Sequence, residues 1–128
     1  MNEYFSAQDV LEFTFYRIPK ALVTDKAYRN VPTEAKLLYG LLLDRMGLSL
    51  CNGWLDRHGR VYIFYTIAAI REDLNCSKEK ACKLLRDLEQ ADLVERKRQG
   101  LGQPSRIYVK RFLQRSENPT SGGRVFRP

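Results

Sequence analysis

The chain has 128 residues, 44% hydrophobic and 29% charged, which predicts a single domain with a real core and excludes a disordered chain. Its 22 Lys and Arg exceed its 15 Asp and Glu, and the formal net charge of +7 favours acidic partners, nucleic acid before anionic membrane. No apolar run approaches the ~20 residues of a transmembrane helix, and the first residues lack a secretion signal. Three cysteines without ligand spacing (Cys51, Cys76, Cys82) indicate a reduced, cytoplasmic protein.

The predicted elements begin with a short strand. Residues 13–18 alternate aromatic and polar side chains, and Pro19 ends the pattern. As an exposed edge, this strand is a candidate for self-association, and packing onto its own domain is the alternative. The candidate dimer contacts are Phe13, Phe15 and Tyr16. Residues 19–28 predict a short helix or turn.

A long helix is predicted next. Thr33 is a candidate N-cap, and Glu34 lies near the positive end of the helix dipole. Leucines at helical spacing predict a helix from Glu34 to Met46, which Gly47 is expected to stop.

A hairpin and two helices follow. Residues 52–66 predict a hairpin around the polar turn 56–59. Thr66 is a cap for a second helix, and Ser77 caps a third after a tight break at residues 75–76. The third helix is expected to bury one stripe, consisting of Ala81, Leu84, Leu85 and Leu88.

Two strands then flank a glycine-containing tip. They are predicted over residues 93–98 and 106–111, and a hairpin directly after a helix pair is typical of a winged helix-turn-helix. We therefore expect an α+β fold in residues 1–112, with its core at about 33–112 after an N-terminal extension. Residues 113–128 have the composition of a flexible linker. This composition suggests that the chain is the N-terminal part of a longer protein.

The outward face of the third helix is the candidate DNA-reading surface. Cations, amides and carboxylates in that position are the groups that recognise base edges, although an ordinary solvated face is the alternative. Two lysines in the first turn oppose the helix dipole, a small cost that phosphate binding would offset. The candidate residues are Ser77, Lys78, Glu79, Lys80, Lys83 and Arg86.

The second hairpin is the candidate wing. Between residues 77 and 115, eleven Lys and Arg face five Asp and Glu, so this region holds +6 of the net charge of +7. Its glycines would let the backbone approach phosphates, and a glycine-rich turn that contacts nothing is the alternative. The candidate wing residues are Arg96, Lys97, Arg98, Gln99, Gly100, Gly102, Gln103 and Arg106.

Catalytic constellations are missing from the sequence. His58 is the single histidine and lies in a predicted turn, which argues against a metal ligand or a general base. Ser77 therefore has no histidine partner, and Gly100-x-Gly102 lacks the rest of a phosphate-binding loop. We expect no enzyme activity, no metal and no cofactor.

Several runs of residues resemble the RepA_N family of plasmid replication initiators, in order from about residue 13 to residue 112. The most distinctive is Glu-Arg-Lys-Arg-Gln-Gly-Leu-Gly-Gln-Pro at positions 95–104. The matching stretches are Phe15–Lys20, Ala35–Met46, Asn52–Trp54, Gly59–Ile63, Asp73–Ser77, Lys83–Leu85 and Glu95–Pro104.

This resemblance implies a function on plasmids of low-GC Gram-positive bacteria. It implies binding of double-stranded DNA at repeated origin sequences (iterons), with the reading helix on residues 77–90 and the wing on residues 96–106. It also implies that host replication proteins are recruited through a C-terminal domain that this chain lacks. Repeated sites favour a homodimer or array. A winged-helix transcriptional repressor and a winged-helix protein-interaction module are the alternatives.

Overall fold

A computed structural model describes residues 4–12 and 14–113. In those residues, short helices precede three longer ones and a small antiparallel sheet. The elements are α1 (Ala7–Glu12), α2 (Lys20–Thr24), a 3-10 turn (Lys26–Tyr28), α3 (Thr33–Cys51), α4 (Ile67–Leu74), α5 (Lys78–Gln90), β1 (Val94–Lys97) and β2 (Arg106–Val109). The predicted tail from residue 114 onward lies outside the described residues.

Helices α4 and α5 form the helix-turn-helix that the sequence predicts. The Thr66 hydroxyl accepts a 3.0 Å hydrogen bond from the Ala69 amide at the start of α4. Between the helices, Asn75 adopts the left-handed conformation with a φ of 54°, which turns the chain sharply. The Ser77 hydroxyl then accepts from the Lys80 amide at 3.1 Å, so both predicted caps are confirmed.

The wing is the antiparallel pair of β1 and β2, in a register that places Lys97 opposite Arg106. Both strands are shorter than predicted. The earlier hairpin joins the same sheet, because Ile63 and Ile107 exchange two backbone hydrogen bonds of 2.9 Å. That hairpin is confirmed in reduced form, with a single bridge between Leu55 and Val61.

The hydrophobic core lies between α3, α5 and the sheet. The four residues of the predicted α5 stripe are at most 2% exposed, so this prediction is confirmed. Tyr39 of α3 is also buried, and its hydroxyl donates a 2.6 Å hydrogen bond to the Lys110 carbonyl just beyond β2. Burial raises the pKa of Tyr39 to about 12, so the phenol stays protonated and remains a donor.

Two predictions about α3 are wrong. Thr33 is not its N-cap: Pro32 takes that position, without a side-chain cap. Gly47 does not end the helix, which continues to Cys51, because one glycine costs only about 1 kcal/mol inside a helix. The chain leaves the helix at Gly53, whose φ of +75° suits glycine, and amides of residues 52–54 cap the last helical carbonyls.

The strand predicted at residues 13–18 is also wrong. Phe13 lies outside the described residues, and residues 14–19 have no strand structure. Instead of pairing with another strand, this segment packs on α3, where a Cβ added to Gly40 would meet Ile18 Cδ1 at 2.3 Å and the Arg17 carbonyl at 3.1 Å. Aromatic residues alternate in this segment, but among the described residues no neighbouring strand offers an edge with which it could pair. Helix α1 was not predicted.

Candidate nucleic-acid interface

The outward face of α5 carries the predicted DNA-reading residues. Because its apolar stripe is buried, the opposite positions Glu79, Lys83 and Arg86 are exposed to solvent, and Lys78 is exposed in the first turn. Lys80 is half-buried on the flank of this face. The helix therefore presents a mixed polar surface that matches the predicted one.

Two lysines of this face are held by carboxylates. Lys80 Nζ lies 2.5 Å from Glu34 Oε1 at the start of α3, and the hydrogen bond to Glu34 raises the pKa of Lys80. Lys83 Nζ lies 2.9 Å from Asp87 Oδ2 one turn along the helix. Lys78 and Arg86 make no ion pair with any described residue. The cations that can meet an external anion without breaking a contact are thus fewer than the sequence suggested.

A bidentate ion pair joins the wing to α5. Arg96 Nη2 lies 2.7 Å from Glu89 Oε1, and Arg96 Nε lies 2.9 Å from Glu89 Oε2. The hydrogen bond from Arg96 lowers the pKa of Glu89, and the same contact raises the pKa of Arg96. Arg96 was predicted to contact DNA phosphates as part of the wing. In the structure its guanidinium instead fixes the wing against α5.

The wing tip is ordered by its own side chains. Gln99 Nε2 donates to the Pro104 carbonyl at 2.8 Å, and Gln99 Oε1 accepts from Arg106 Nε at 3.0 Å. Gly100 and Gly102 have φ values of +142° and +78°, which favour glycine. Gln103 is exposed, and its backbone N–H donates to the Gly100 carbonyl at 3.2 Å.

Lys97 and Arg98 project from the exposed end of β1 and the start of the tip. Within the described part of the chain, neither has a carboxylate partner. Lys97 lies opposite Arg106, but Arg106 is half-buried and donates to Gln99. Lys97 and Arg98 are therefore the open positive charge of the predicted wing.

The first hairpin contributes cations that the sequence reading did not assign. A cleft of about 410 Å³ is lined by Arg57, His58 and Arg60 from its turn, and by Lys97 and Arg106 from the wing. Arg57 and Arg60, on either side of His58 in the sequence, were the signal for these cations. Only the pairing of Ile63 with Ile107 shows that this turn lies beside the wing.

Two of the predicted self-association residues, Phe15 and Tyr16, lie before α2. Phe15 and Tyr16 are 69% and 55% exposed in irregular chain before α2. Within the described residues, no helix has the length and apolar character needed to cross a membrane.

Three solved structures share this architecture. The N-terminal domain of a DNA-binding protein aligns with a TM-score of 0.75 and 36% identity, covering 90% of this chain and 88% of that one. A Rep–DNA complex aligns equally well, with a TM-score of 0.75 and 36% identity over 89% and 88% of the two chains. An MDR initiator gives a TM-score of 0.72 and 32% identity over 88% and 89%. The winged helix-turn-helix prediction is confirmed.

Sequence comparison gives the family. A 41 kDa protein of Lactobacillus helveticus is 31% identical over 122 residues, which are 91% of this chain but 34% of that protein. The chain therefore spans about a third of this curated relative. The family model for the N-terminus of replication initiator protein A matches residues 14–121. The chain belongs to the RepA_N family of replication initiators, as the resemblance in its sequence implied.

Proposed function

We propose that this chain binds double-stranded DNA in a sequence-specific manner at repeated sites of a plasmid origin, and that this binding initiates replication. The observation that carries the proposal is the arrangement of α5 and the wing. The Arg96–Glu89 ion pair holds the polar face of α5 beside a wing whose Lys97 and Arg98 are open to solvent. The likeness to a Rep–DNA complex supports the same function.

In this proposal α5 enters the major groove. A helix fits that groove, where Lys or Arg can pair with guanine and a carboxylate can accept from cytosine. Lys83 and Glu79 are exposed near the middle and start of the helix, so they are candidates for base contacts. Lys78 lies in the first turn, where free backbone N–H groups add to its attraction for a phosphate.

The internal ion pairs contribute to specificity. Lys83 must leave Asp87 to contact a base, and Lys80 must leave Glu34. Exchanging one partner for another gives a net gain only where the DNA group is well placed, so a random sequence benefits less than a cognate one.

Binding to repeated sites further suggests a homodimer. Apolar side chains near the N-terminus are open to solvent: Leu11 is 82%, Phe15 69% and Tyr16 55% exposed. Exposed apolar surface of this kind favours contact with a second copy. Recruitment of host replication proteins would fall to the part of the longer relative that this chain does not span.

Electrophoretic mobility shift at two salt concentrations tests the proposal. With about four to six phosphates neutralised, log affinity should fall against log salt with a slope of about −4 to −5. Footprinting on the origin of the plasmid that encodes the chain should then protect regularly spaced repeats. Binding that ignores salt would instead favour protein docking, and protection only at a promoter would favour a repressor.

A further inference from the structure

The sheet has a second face, turned away from the helical core, whose aromatic side chains the proposed duplex-binding surface does not use. Ile63 and Ile107 are bridged to each other and are 1% and 2% exposed. Side chains alternate along an extended chain, so Tyr62 and Phe64 share the opposite face of the sheet with Arg106. The stack of Arg106 on Tyr62, 4.3 Å from the ring centre, agrees with this placement.

Aromatic rings form a continuous cluster on this face. Trp54 lies 6.5 Å from Tyr62 between ring centres, with ring planes nearly parallel at 9°, and 5.4 Å from Phe64. Tyr62 contacts Phe64 at 5.5 Å and Tyr108 at 6.2 Å. Trp54 is 36% exposed, and Tyr62 and Phe64 are half-buried, so these three rings are reachable from solvent, whereas Tyr108 beneath them is buried. We call these four residues the aromatic face.

Cations border the aromatic face. Besides Arg106, the Arg60 guanidinium lies 5.1 Å from the Tyr108 ring centre. Arg57 and Lys97 line the adjoining cleft. Four positive side chains therefore stand beside a group of rings.

The one carboxylate that lines this cleft is already occupied by the protein. Asp56 accepts hydrogen bonds from the amides of His58 and Arg60 and from the Tyr108 hydroxyl, and it pairs with Arg60 Nε at 3.0 Å. Its side chain is only 6% exposed. Burial would raise the pKa of Asp56, but these hydrogen bonds hold it well below its usual range. Arg60 balances the charge of Asp56, so the net positive charge of the cleft comes from Arg57, Lys97 and Arg106.

We propose that the aromatic face and its bordering arginines bind single-stranded DNA. An unpaired base would stack on the exposed ring of Trp54 while its phosphates meet Arg57 and Lys97, which have no carboxylate partner among the described residues. The combination of ring platforms and a positive groove is what single-strand binding requires. Duplex DNA fits less well, because its bases are stacked on one another and cannot reach the rings. A second protein copy fits less well too, because the four cations of one copy would repel those of the other.

This activity goes beyond recognition of a duplex site, and it suits a protein that acts where strands separate. Lys97 belongs to both surfaces, whereas Trp54 belongs to the aromatic face alone. A variant at Trp54 therefore tests single-strand binding separately from duplex binding.

Trp54 is the single tryptophan of the chain, so its fluorescence reports directly on this face. We would titrate the full chain with a twelve-residue oligothymidylate and with a duplex of random sequence, at equal salt. Stacking of a base should quench Trp54 emission with the single strand and much less with the duplex. Absence of quenching by the oligothymidylate would refute the proposal, and equal quenching by both DNAs would reassign the face to duplex binding.

Fluorescence anisotropy of a labelled oligothymidylate supplies the second measurement. Trp54→Leu should weaken single-strand binding about 5- to 100-fold, the range expected for one lost base–aromatic stack. Trp54→Phe keeps a ring and should lose less. Tyr4→Leu removes an aromatic residue that is 86% exposed near the N-terminus, and it should change nothing.

Binding of cognate duplex DNA shows whether each variant is folded. Trp54→Leu should retain it, because Trp54 lies outside the proposed duplex surface. A Trp54→Leu protein that still binds both the duplex and the single strand with full affinity would overturn the inference. Quenching that depends on protein concentration without DNA would indicate self-association through this face and would also overturn it.

Discussion

Arg96 and Glu89 form a two-point contact that fixes the angle between the wing and the recognition helix. Both hydrogen bonds are short, 2.7 and 2.9 Å, and Arg96 is the residue directly before Lys97 on β1. A planar guanidinium facing a carboxylate permits little rotation, so the contact transmits the position of α5 to the wing cations. Arg96 was expected to bind DNA, but in the structure it holds the wing in position against α5.

The first prediction concerns this contact. Glu89→Gln should lower the free energy of unfolding by about 0.5–1 kcal/mol at neutral pH, a value that allows for partial exposure. Chemical denaturation followed by circular dichroism measures it. A double-mutant cycle with Arg96→Gln isolates the interaction energy of the pair. A coupling energy of zero would contradict a stabilising ion pair between Arg96 and Glu89.

The same contact predicts a pH dependence. The pKa of Glu89 is lowered in the folded protein from its usual 4.5, so the contribution of Glu89 is fully present above that value. It is lost as the pH falls through the lowered pKa, because protonation then removes the charge that Arg96 holds. The stability difference between wild type and Glu89→Gln should therefore shrink below about pH 4.5 and remain constant from pH 6 to 8.

The second prediction concerns base recognition. Lys83→Ala should weaken binding to the cognate repeat by about 1–3 kcal/mol, and it should weaken binding to random duplex DNA less. Competition mobility shifts with both DNAs measure the ratio. Equal losses on the two DNAs would place Lys83 on the backbone rather than on a base.

The third prediction concerns the backbone contact of the wing. Lys97→Ala should weaken binding to all duplex sequences and reduce the salt slope by about one unit, because one fewer counterion is released. Lys26→Ala, which removes an exposed lysine of the 3-10 turn, is the matched control and should leave the slope unchanged. An unaltered slope for Lys97→Ala would remove this residue from the phosphate contacts.

The fourth prediction concerns the turn between α4 and α5. Asn75 has a φ of 54°, a conformation that a residue with a plain Cβ adopts at a cost of about 1–2 kcal/mol. Asn75→Ala should lower the melting temperature, whereas Asn75→Gly should be nearly neutral because glycine accepts this φ. Differential scanning calorimetry compares them. An equal loss in both variants would point to the Asn75 side chain rather than to the backbone.

Local signals in the sequence predicted local structure well. The hydroxyl caps at Thr66 and Ser77 and the leucine stripe of α5 depend on residues within one or two turns of one another. The end of α3 was predicted wrongly at Gly47, because a glycine by itself does not show whether the backbone adopts a positive φ. Gly53 has that conformation instead.

The strand expected at residues 13–18 failed for a different reason. A strand forms only where a neighbouring strand offers backbone hydrogen bonds. The periodicity of the sequence does not show which strand edges are available for pairing. Here β2 pairs on one side with β1 and on the other with Ile63, while Ile18 packs on Gly40 instead.

The sequence by itself determined the family, the order of the helices and wing, and the concentration of positive charge between residues 77 and 115. Those properties follow from composition and short-range spacing. Only the tertiary structure decided which cations stay open, because Glu34 reaches Lys80 across 46 positions of the chain, and Arg106 stacks on Tyr62 across 44. Contacts between residues so far apart arise from packing of the core, and they separate the residues that face outward from those that the protein uses on itself.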